Sequence, residues 1–306
     1  MQGLRNGWVV GFLAAAWMLG NLGLAQDVQR VAARKKSRSK SAAAERDTGD
    51  QATDKNTSAD ADQKSVKKDQ PGLSLRDVIK YAEPSRAALQ DVEDYTAVFS
   101  KTELVFSKTE LVKGKLIKQE MDMKFRKKPF SVFFKYRKGP EAGRIAIYVD
   151  GKFDNKLVVK EANGLGVLAG RMYLKLDDRK VMSENRYPVT SVGISNVLET
   201  SLNVWDRECR VDSAEIDVKF FPGAKLQDIP CEVVQITYQK ELPDLKYHLV
   251  RVYFDKESKL PVGAERYGWP RKAGDKPPLL EEYKYTNVKI NQRLTDSDFD
   301  PVRYGF

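Results

Sequence analysis

The chain has 306 residues, one His and two Cys, and its 53 Lys and Arg exceed its 43 Asp and Glu to give a formal net charge of +10. A single His excludes His-paired catalysis and a multi-His metal site within one chain, and two Cys exclude a Cys-rich zinc module. Hydrophobic residues make up 41% of the chain, which indicates a globular body, but the mean hydropathy of −0.53 indicates that part of the chain is not globular.

Residues 1–25 have the pattern of a secretory signal peptide. Residues 8–24 are almost entirely apolar, and Gly23 and Ala25 are the small residues expected before a cleavage site. About 17 apolar residues is also the short limit of a membrane-spanning helix, so an uncleaved N-terminal anchor is the alternative. Either reading predicts a protein that is periplasmic or otherwise exported to the cell envelope.

Residues 26–72 predict a disordered, charged tether. Residues 34–40 are a basic run, RKKSRSK, and the rest is polar with few large apolar side chains. Such a segment cannot bury enough surface to offset a backbone entropy loss of about 1–2 kcal/mol per residue. The tether is either a solvated spacer or a contact with an anionic membrane or cell-wall polymer. The mixed charge after Glu45 and the predicted export argue against nucleic acid as its partner.

Two amphipathic helices are predicted. Ser74 and Asp77 have the spacing of a capping box, and an apolar stripe follows to about Asp94. Pro84 should kink this helix or make it restart, which gives one broken helix or two short ones, because proline lacks an amide donor and clashes with the preceding turn. The stripe of the second helix consists of Ile194, Val197, Leu198 and Leu202.

Ten segments alternate with the period of two that is typical of strands. They are residues 95–105, 112–125, 130–137, 144–149, 156–159, 214–221, 231–239, 246–254, 262–267 and 280–290. Short turns join most of them, which excludes a doubly wound parallel sheet. We predict a mainly β (α+β) fold: one domain over residues 73–306, built as a curved antiparallel sheet or half-open β-barrel covered by helices.

The heptapeptide FSKTELV occurs at residues 99–105 and again at 106–112. Seven is an odd number, so a continuous strand would turn the faces of the second copy over. We expect a bulge, a loop or an extension beyond the sheet edge there, and we interpret the repeat as a local duplication without function.

Cys209 and Cys231 are the only thiols, and export permits a disulfide between them. Such a bridge would close a loop of about 23 residues and stabilise the fold by about 3 kcal/mol. The alternative is two separate buried thiols on neighbouring strands.

The candidates for polar chemistry are weak. His248 alternates with apolar residues of a strand and lacks a nucleophile in a suitable context. Asp296, Asp298 and Asp300 have the alternate spacing of a Ca²⁺ loop, but Pro301 stands where glycine is needed, so we expect capping and turn roles. We predict no metal and no cofactor.

The glycines of residues 164–170, GLGVLAG, lack the spacing of a dinucleotide-binding motif and predict a flexible β connection.

The early strands carry more large apolar surface than a thin one-sided sheet needs. Methionine and aromatic side chains suit an adaptable pocket for an acyl chain, although an ordinary core beneath the helices accounts for them equally well. The predicted cavity residues are Met121, Met123, Phe125, Phe130, Val132, Phe134, Tyr136, Ile145 and Ile147.

Several short motifs, taken together, resemble domain-of-unknown-function family 1571, a family of exported bacterial proteins. They are DYT at 94–96, MKFRKKPF at 123–130, IYVDG at 147–151, NRYP at 185–188, FD at 254–255 with LP at 260–261, EYKYTN at 282–287 and DFD at 298–300. That family is similar to the LolA, LolB and RseB type of lipoprotein carriers and sensors. The resemblance implies a half-open barrel with an apolar cavity for acyl chains, and it implies no catalytic residues.

Three functions remain open from the sequence. The first is a non-enzymatic envelope protein that binds a lipid or a lipidated protein in the half-barrel. The second is a structural or interaction module with a packed core and a basic tether. The third, ranked last, is a hydrolase that uses carboxylates such as Asp94, Glu282 or Asp298.

Overall fold

The computed structural model of the protein describes residues 73–105, 114–209, 215–241 and 245–306. The predicted signal peptide at 1–25, the predicted tether at 26–72 and the second copy of the heptapeptide at 106–112 lie outside the described residues. Within the described ranges, no helix is long and apolar enough to cross a membrane.

The described chain forms three α-helices and eleven strands, with short 3-10 turns between them. The helices are α1 (Leu75–Gln90), α2 (Arg179–Met182) and α3 (Ile194–Glu208). The strands are β1 (Asp94–Val105), β2 (Lys115–Arg126), β3 (Ser131–Tyr136), β4 (Ile145–Val149), β5 (Leu157–Lys160), β6 (Arg171–Leu174), β7 (Ile216–Leu226), β8 (Ile229–Tyr238), β9 (Leu249–Asp255), β10 (Pro261–Tyr267) and β11 (Leu279–Ile290).

All eleven strands belong to one curved, open sheet with the order β6-β5-β4-β3-β2-β1-β11-β10-β9-β8-β7. Each pair of neighbours is antiparallel, so two meanders, β1–β6 and β7–β11, join where β1 pairs with β11. The predicted antiparallel fold with helices is confirmed. All ten predicted strands are present, but β6 was not predicted, because four residues next to a glycine-rich turn are too few for a period to be seen.

Helix α1 begins at the predicted capping box, in which the Ser74 hydroxyl accepts the amide of Asp77 and the Asp77 carboxylate accepts the amide of Ser74. The predicted restart at Pro84 is wrong, since one helix continues through it and ends at Gln90. Buried side chains before and after Pro84 hold the helix against the core, and this packing compensates for the one lost hydrogen bond. They are Leu75, Val78, Ala82, Ser85 and Leu89.

The sheet has an inner face, which α1 and α3 cover, and an outer face. Tyr81 of α1 packs edge-on against Phe220 of β7 and Phe254 of β9, with ring centroids 5.1 and 5.4 Å apart. On the outer face, a C-terminal strap (residues 294–306) crosses the first meander. Phe299 of the strap is buried there with Phe133, and side chains of β4 complete the cluster. Both faces of β3 and β4 are therefore buried.

Candidate functional site

Seven of the nine predicted cavity residues share the inner face of the sheet. Met121, Met123, Phe125, Val132, Phe134 and Tyr136 are buried in the main apolar core, and Phe130 is half-buried against it. Their common face follows from strand alternation, since Met123 pairs with Phe134 and Phe125 with Val132. Whether these residues bind a ligand stays a prediction.

Ile145 and Ile147 do not belong to this set. Ile147 pairs with Phe133, and residues directly opposite each other in an antiparallel pair share a face. Both isoleucines therefore contact the outer cluster beneath the C-terminal strap, whereas Ala146 and Tyr148 of the same strand face inward. Placing Ile145 and Ile147 in the predicted cavity was wrong, because the register across the β3–β4 turn assigns them to the outer face.

Aromatic rings on the inner face position the start of α3. Tyr95 stacks on Phe125 with centroids 4.8 Å apart, and Tyr285 lies 4.8 Å from Phe99. The hydroxyl of Tyr285 accepts the amide of Gly193 and that of Tyr95 accepts the amide of Ile194, both at 3.1 Å. Burial raises the pKa of both tyrosines, so the hydroxyls stay neutral and act as caps for the helix.

Gly193 is the residue that allows this close approach. Its φ of +132° is a conformation that L side chains rarely adopt, and a Cβ there would lie 3.1 Å from the ring of Phe125 and 3.6 Å from the hydroxyl of Tyr95. A glycine at this position lets the chain turn from the inner face of the sheet into α3.

At one end of the inner face, the apolar surface gives way to a buried charge network. We define it as four basic and four acidic residues that ion pairs and backbone hydrogen bonds link together: Lys101, Glu103, Arg144, Glu161, Glu184, Arg186, Arg266 and Glu281. The central pairs are Lys101 with Glu103 at 3.1 Å and Arg186 with Glu281 at 3.1 Å. Every acidic member has a basic partner within 3.1 Å, so the network has a structural role.

The electrostatics of the network agree with that role. Burial alone would raise the pKa of Glu281, but Arg266, Lys246 and Arg186 outweigh it and hold the pKa below its ordinary value. Burial lowers the pKa of Lys101 although Glu103 opposes the change. Its cationic neighbours thus keep the Glu281 carboxylate ionised, which is unsuitable for a general acid.

Sequence reasoning missed this network, although one signal was available. Lys101 and Glu103 are odd-numbered residues of β1, as are Tyr95 and Phe99, and alternation therefore places all four on the inner face. Their charge suggested solvent exposure, but both are buried because residues 184–186 cover them with a carbonyl oxygen, an amide side chain and a backbone amide.

Away from the network, the inner face of the first meander is bordered by half-buried apolar side chains. We call them the apolar rim: Phe130, Met172, Leu174, Leu176, Val189 and Val192. Leu174 pairs with Leu157 at the strand ends remote from the network, and Phe130 precedes β3 at the same end. Apolar surface therefore reaches solvent between these strands and the segment that leads to α3.

The two cysteines are free, so the predicted disulfide is not formed. Cys209 is the C-terminal cap of α3 and lies near Tyr238, at the end of β8. Cys231 pairs with Asp255 at the other end of β8. Tyr238 is seven positions after Cys231, which corresponds to about 23 Å of strand, far beyond the Cα separation that a disulfide tolerates. The two thiols are separate, but the alternative of two buried thiols on neighbouring strands is also wrong, because Cys209 is half-buried at the end of a helix and only Cys231 is buried in a strand. Burial raises the pKa of Cys231 to about 11.

The three carboxylates considered for hydrolysis are not brought together. Asp94 accepts the backbone amides of Gln292 and Leu294, and Glu282 lies opposite Thr102, eight residues or about 26 Å further along β1. Asp298 binds Lys124 at 2.8 Å. Each carboxylate therefore has a structural role.

The remaining polar candidates also have structural roles. Asp298 and Asp300 cap the 3-10 turns of the C-terminal strap, as predicted. His248 is half-buried and its ring lies 4.7 Å from that of Trp269. Among the residues that the structure describes, no group of three His, Cys, Asp or Glu side chains could hold a metal ion.

Comparison with known proteins identifies a family. The family described as "Protein of unknown function (DUF1571)" matches residues 92–304, which confirms the resemblance predicted from the sequence. No curated protein matches the chain.

Three solved structures illustrate the likeness at the level of structure. Lipoprotein LppX of Mycobacterium tuberculosis is 13% identical, covers 73% of this chain and 98% of its own, and has a TM-score of 0.40. A DUF1329 family protein of Desulfovibrio piger is 10% identical, covers 75% of this chain and 98% of its own, and has a TM-score of 0.31. A LolA superfamily protein of Nitrosomonas europaea is 12% identical, covers 76% of this chain and 99% of its own, and has a TM-score of 0.26. At these values none of the three assigns an activity or a ligand to this chain.

Proposed function

The chain belongs to the DUF1571 family, and we propose that it is an exported, non-catalytic envelope protein that binds an acyl chain, free or attached to a protein, between the inner face of its sheet and the helical cover. The observation that carries this proposal is the apolar rim. Six large apolar side chains remain half-buried next to a continuous layer of methionine and aromatic side chains. An acyl chain that entered there would cover them and gain the free energy of removing apolar surface from water.

Two further features support an acyl chain over other ligands. Met121 and Met123 lie side by side with Phe125 and Phe134, and flexible thioethers beside flat rings can repack around a chain of variable length. The charge network closes the apolar layer at the other end, so a ligand would extend from the rim toward the helices. The predicted signal peptide would deliver such a protein to the envelope, where lipids and lipidated proteins are its available partners.

One observation favours the second function considered from the sequence, a packed interaction module. Met121, Met123 and Val132 are 1%, 2% and 0% exposed, so side chains already fill their surroundings. In a packed module, the apolar rim would be the solvent-facing edge of a fully packed hydrophobic core. Ligand binding therefore requires α3 or the segment before it to move away from the sheet, and a binding measurement separates the two functions.

The test uses the delipidated full chain and a fluorescent fatty acid, 11-(dansylamino)undecanoic acid. We expect saturable binding of the probe with an increase in its fluorescence. Replacing Leu174 of the rim by glutamine should weaken binding about tenfold, because a polar amide would take the place of apolar contact surface.

The matched control is Tyr173→Gln, one residue earlier on β6, because Tyr173 lies on the outer face and is already exposed. It should leave probe affinity unchanged. Absence of saturable binding by the natural chain, or equal effects of L174Q and Y173Q, would favour the packed module.

A further inference from the structure

The loop between β5 and β6 exposes an unusual amount of apolar surface. Leu165 and Leu168 are each 86% exposed and Val167 is 48% exposed, all within the 3-10 helix Gly164–Ala169. We call these three side chains the apolar tip. Single exposed leucines are ordinary on a protein surface, but three exposed apolar side chains within four residues of one turn mark a contact site.

The backbone fixes the direction of the tip. A Cβ at Gly166 would lie 2.6 Å from the Glu161 side chain, so this side of the turn rests on the end of β5. Gly164 and Gly170 have φ of +69° and +60° and nothing within 4 Å of their Cβ positions, so both ends of the turn border open space. The leucines therefore project outward from a turn that is held at its base.

Positive charge surrounds the tip. The adjacent β3–β4 loop is tied to it by a hydrogen bond of 2.6 Å from the Asn163 amide to the carbonyl of Ala142. Residues 137–144 and 160–171 together carry five basic and two acidic side chains, and four basic and one acidic remain when the Arg144–Glu161 pair of the charge network is left out. Lys138 and Lys180 extend this charge into solvent, with side chains 74% and 49% exposed, although they also contact Glu120 and Glu161.

We propose that the apolar tip inserts into the headgroup–acyl boundary of a bilayer that contains anionic lipid. A convex apolar projection fits the interface of a bilayer, and the positive charge around it complements anionic headgroups. The proposal does not depend on a ligand at the inner face, because the tip lies on a loop outside that face.

The test measures co-sedimentation of the full chain with vesicles of phosphatidylcholine containing 30% phosphatidylglycerol. The double variant L165S/L168S should bind these vesicles at least about tenfold more weakly, since it removes the inserting side chains. The basic segment at residues 34–40 is present in both proteins, so the difference between them reports on the tip alone. Both leucines are exposed, and the variant should therefore unfold at the same urea concentration as the natural chain.

Two more variants test whether the contact is specific to the tip and whether the tip enters the bilayer. Val302→Ser alters another exposed apolar residue, on the C-terminal strap, and should bind vesicles like the natural chain. Leu168→Trp should bind at least as tightly as the natural chain, and its fluorescence should be quenched by brominated lipid more strongly than that of the natural chain, while its urea midpoint stays unchanged.

The outcomes separate the possible occupants of the tip. Equal vesicle binding by the natural chain and L165S/L168S would overturn the proposal. So would a dimer in sedimentation experiments that the double variant abolishes, because a second copy would then cover the tip. The double variant should still bind the dansyl fatty acid, so failure of the membrane contact is distinguishable from failure of the proposed function.

Discussion

Glu281 shows how single residues shape the inner face. It is fully buried, accepts a hydrogen bond of 2.5 Å from Tyr247 and pairs with Arg186 and Arg266. Removing one partner of such a group leaves uncompensated charge in the interior, which costs about 3–5 kcal/mol. The apolar layer of the inner face therefore ends at the charge network, and a substitution that removes one partner of a buried ion pair there destabilises the fold.

We predict that Glu281→Gln lowers the free energy of unfolding by about 3–5 kcal/mol in urea denaturation at pH 7. Because the pKa of Glu281 is lowered in the folded state, its ionised carboxylate stabilises the fold at neutral pH, and this stabilisation is lost as pH falls through the folded-state pKa. The free energies of unfolding of the variant and the natural chain should therefore differ less in acid. The control is Glu282→Gln, whose carboxylate pairs with Lys284 on the outer face and should change stability by less than about 1 kcal/mol. Similar losses in both variants would contradict the assigned role of the network.

Glu208 at the end of α3 is a second residue with a testable electrostatic signature. It accepts a hydrogen bond from Tyr238, and burial raises its pKa to about 6 although Tyr238 and Arg207 oppose the change. A carboxyl group with a raised folded-state pKa favours folding when protonated. The stabilisation that protonated Glu208 gives to the fold is complete below the unfolded-state pKa and is lost as pH rises through about 6.

Glu208→Gln should therefore stabilise the protein by about 1 kcal/mol at pH 7.5, a value reduced for partial solvent exposure, and have little effect at about pH 4.5. The measurement is urea denaturation at both pH values. Glu199→Gln on the same helix is the control, since Glu199 pairs at the surface with Arg86 and its replacement should change stability by less than about 1 kcal/mol. A pH-independent effect of E208Q would show that the carboxyl is not desolvated.

Among the elements, α3 depends on the turn at Gly193. Gly193→Ala should lower the free energy of unfolding by about 1–3 kcal/mol, because the new Cβ needs a rare φ and must displace the Phe125 ring. Gly223→Ala, where nothing lies within 4 Å of the Cβ position, is the matched control and should change stability by less than about 1 kcal/mol. If both variants unfolded at the same urea concentration, the close contact between this turn and the sheet would be refuted.

Elements with a strong period were predictable from the sequence, and those held by tertiary contacts were not. The stripe Ile194, Val197, Leu198 and Leu202 predicted α3 because helical spacing alone places it on one face. The continuity of α1 through Pro84 depends on packing, which local propensity does not contain. The outer burial of Ile147 depends on Phe299, which is 152 residues away in the chain, so no local pattern could reveal it.

At the scale of the whole molecule, the two ends of the sheet differ in chemistry. The charge network and the apolar tip lie at the strand ends that carry Tyr136 and Arg171, and Phe130 and Leu174 of the rim lie at the opposite ends. The sequence predicted the apolar character of the inner face through Met121 and Met123. The apolar rim could not be located from the sequence, because its side chains are half-buried only where residues 175–193 pass over the sheet.

The central claim, that an acyl chain binds at the inner face, is tested most directly by photo-crosslinking with a diazirine-bearing fatty acid and mapping the labelled residues by mass spectrometry. Labels should appear on inner-face and rim residues such as Met123, Phe130 and Leu174, and unlabelled fatty acid should reduce this labelling. Labels confined to outer-face residues such as Tyr173 or Val302, or labelling that unlabelled fatty acid does not reduce, would contradict it.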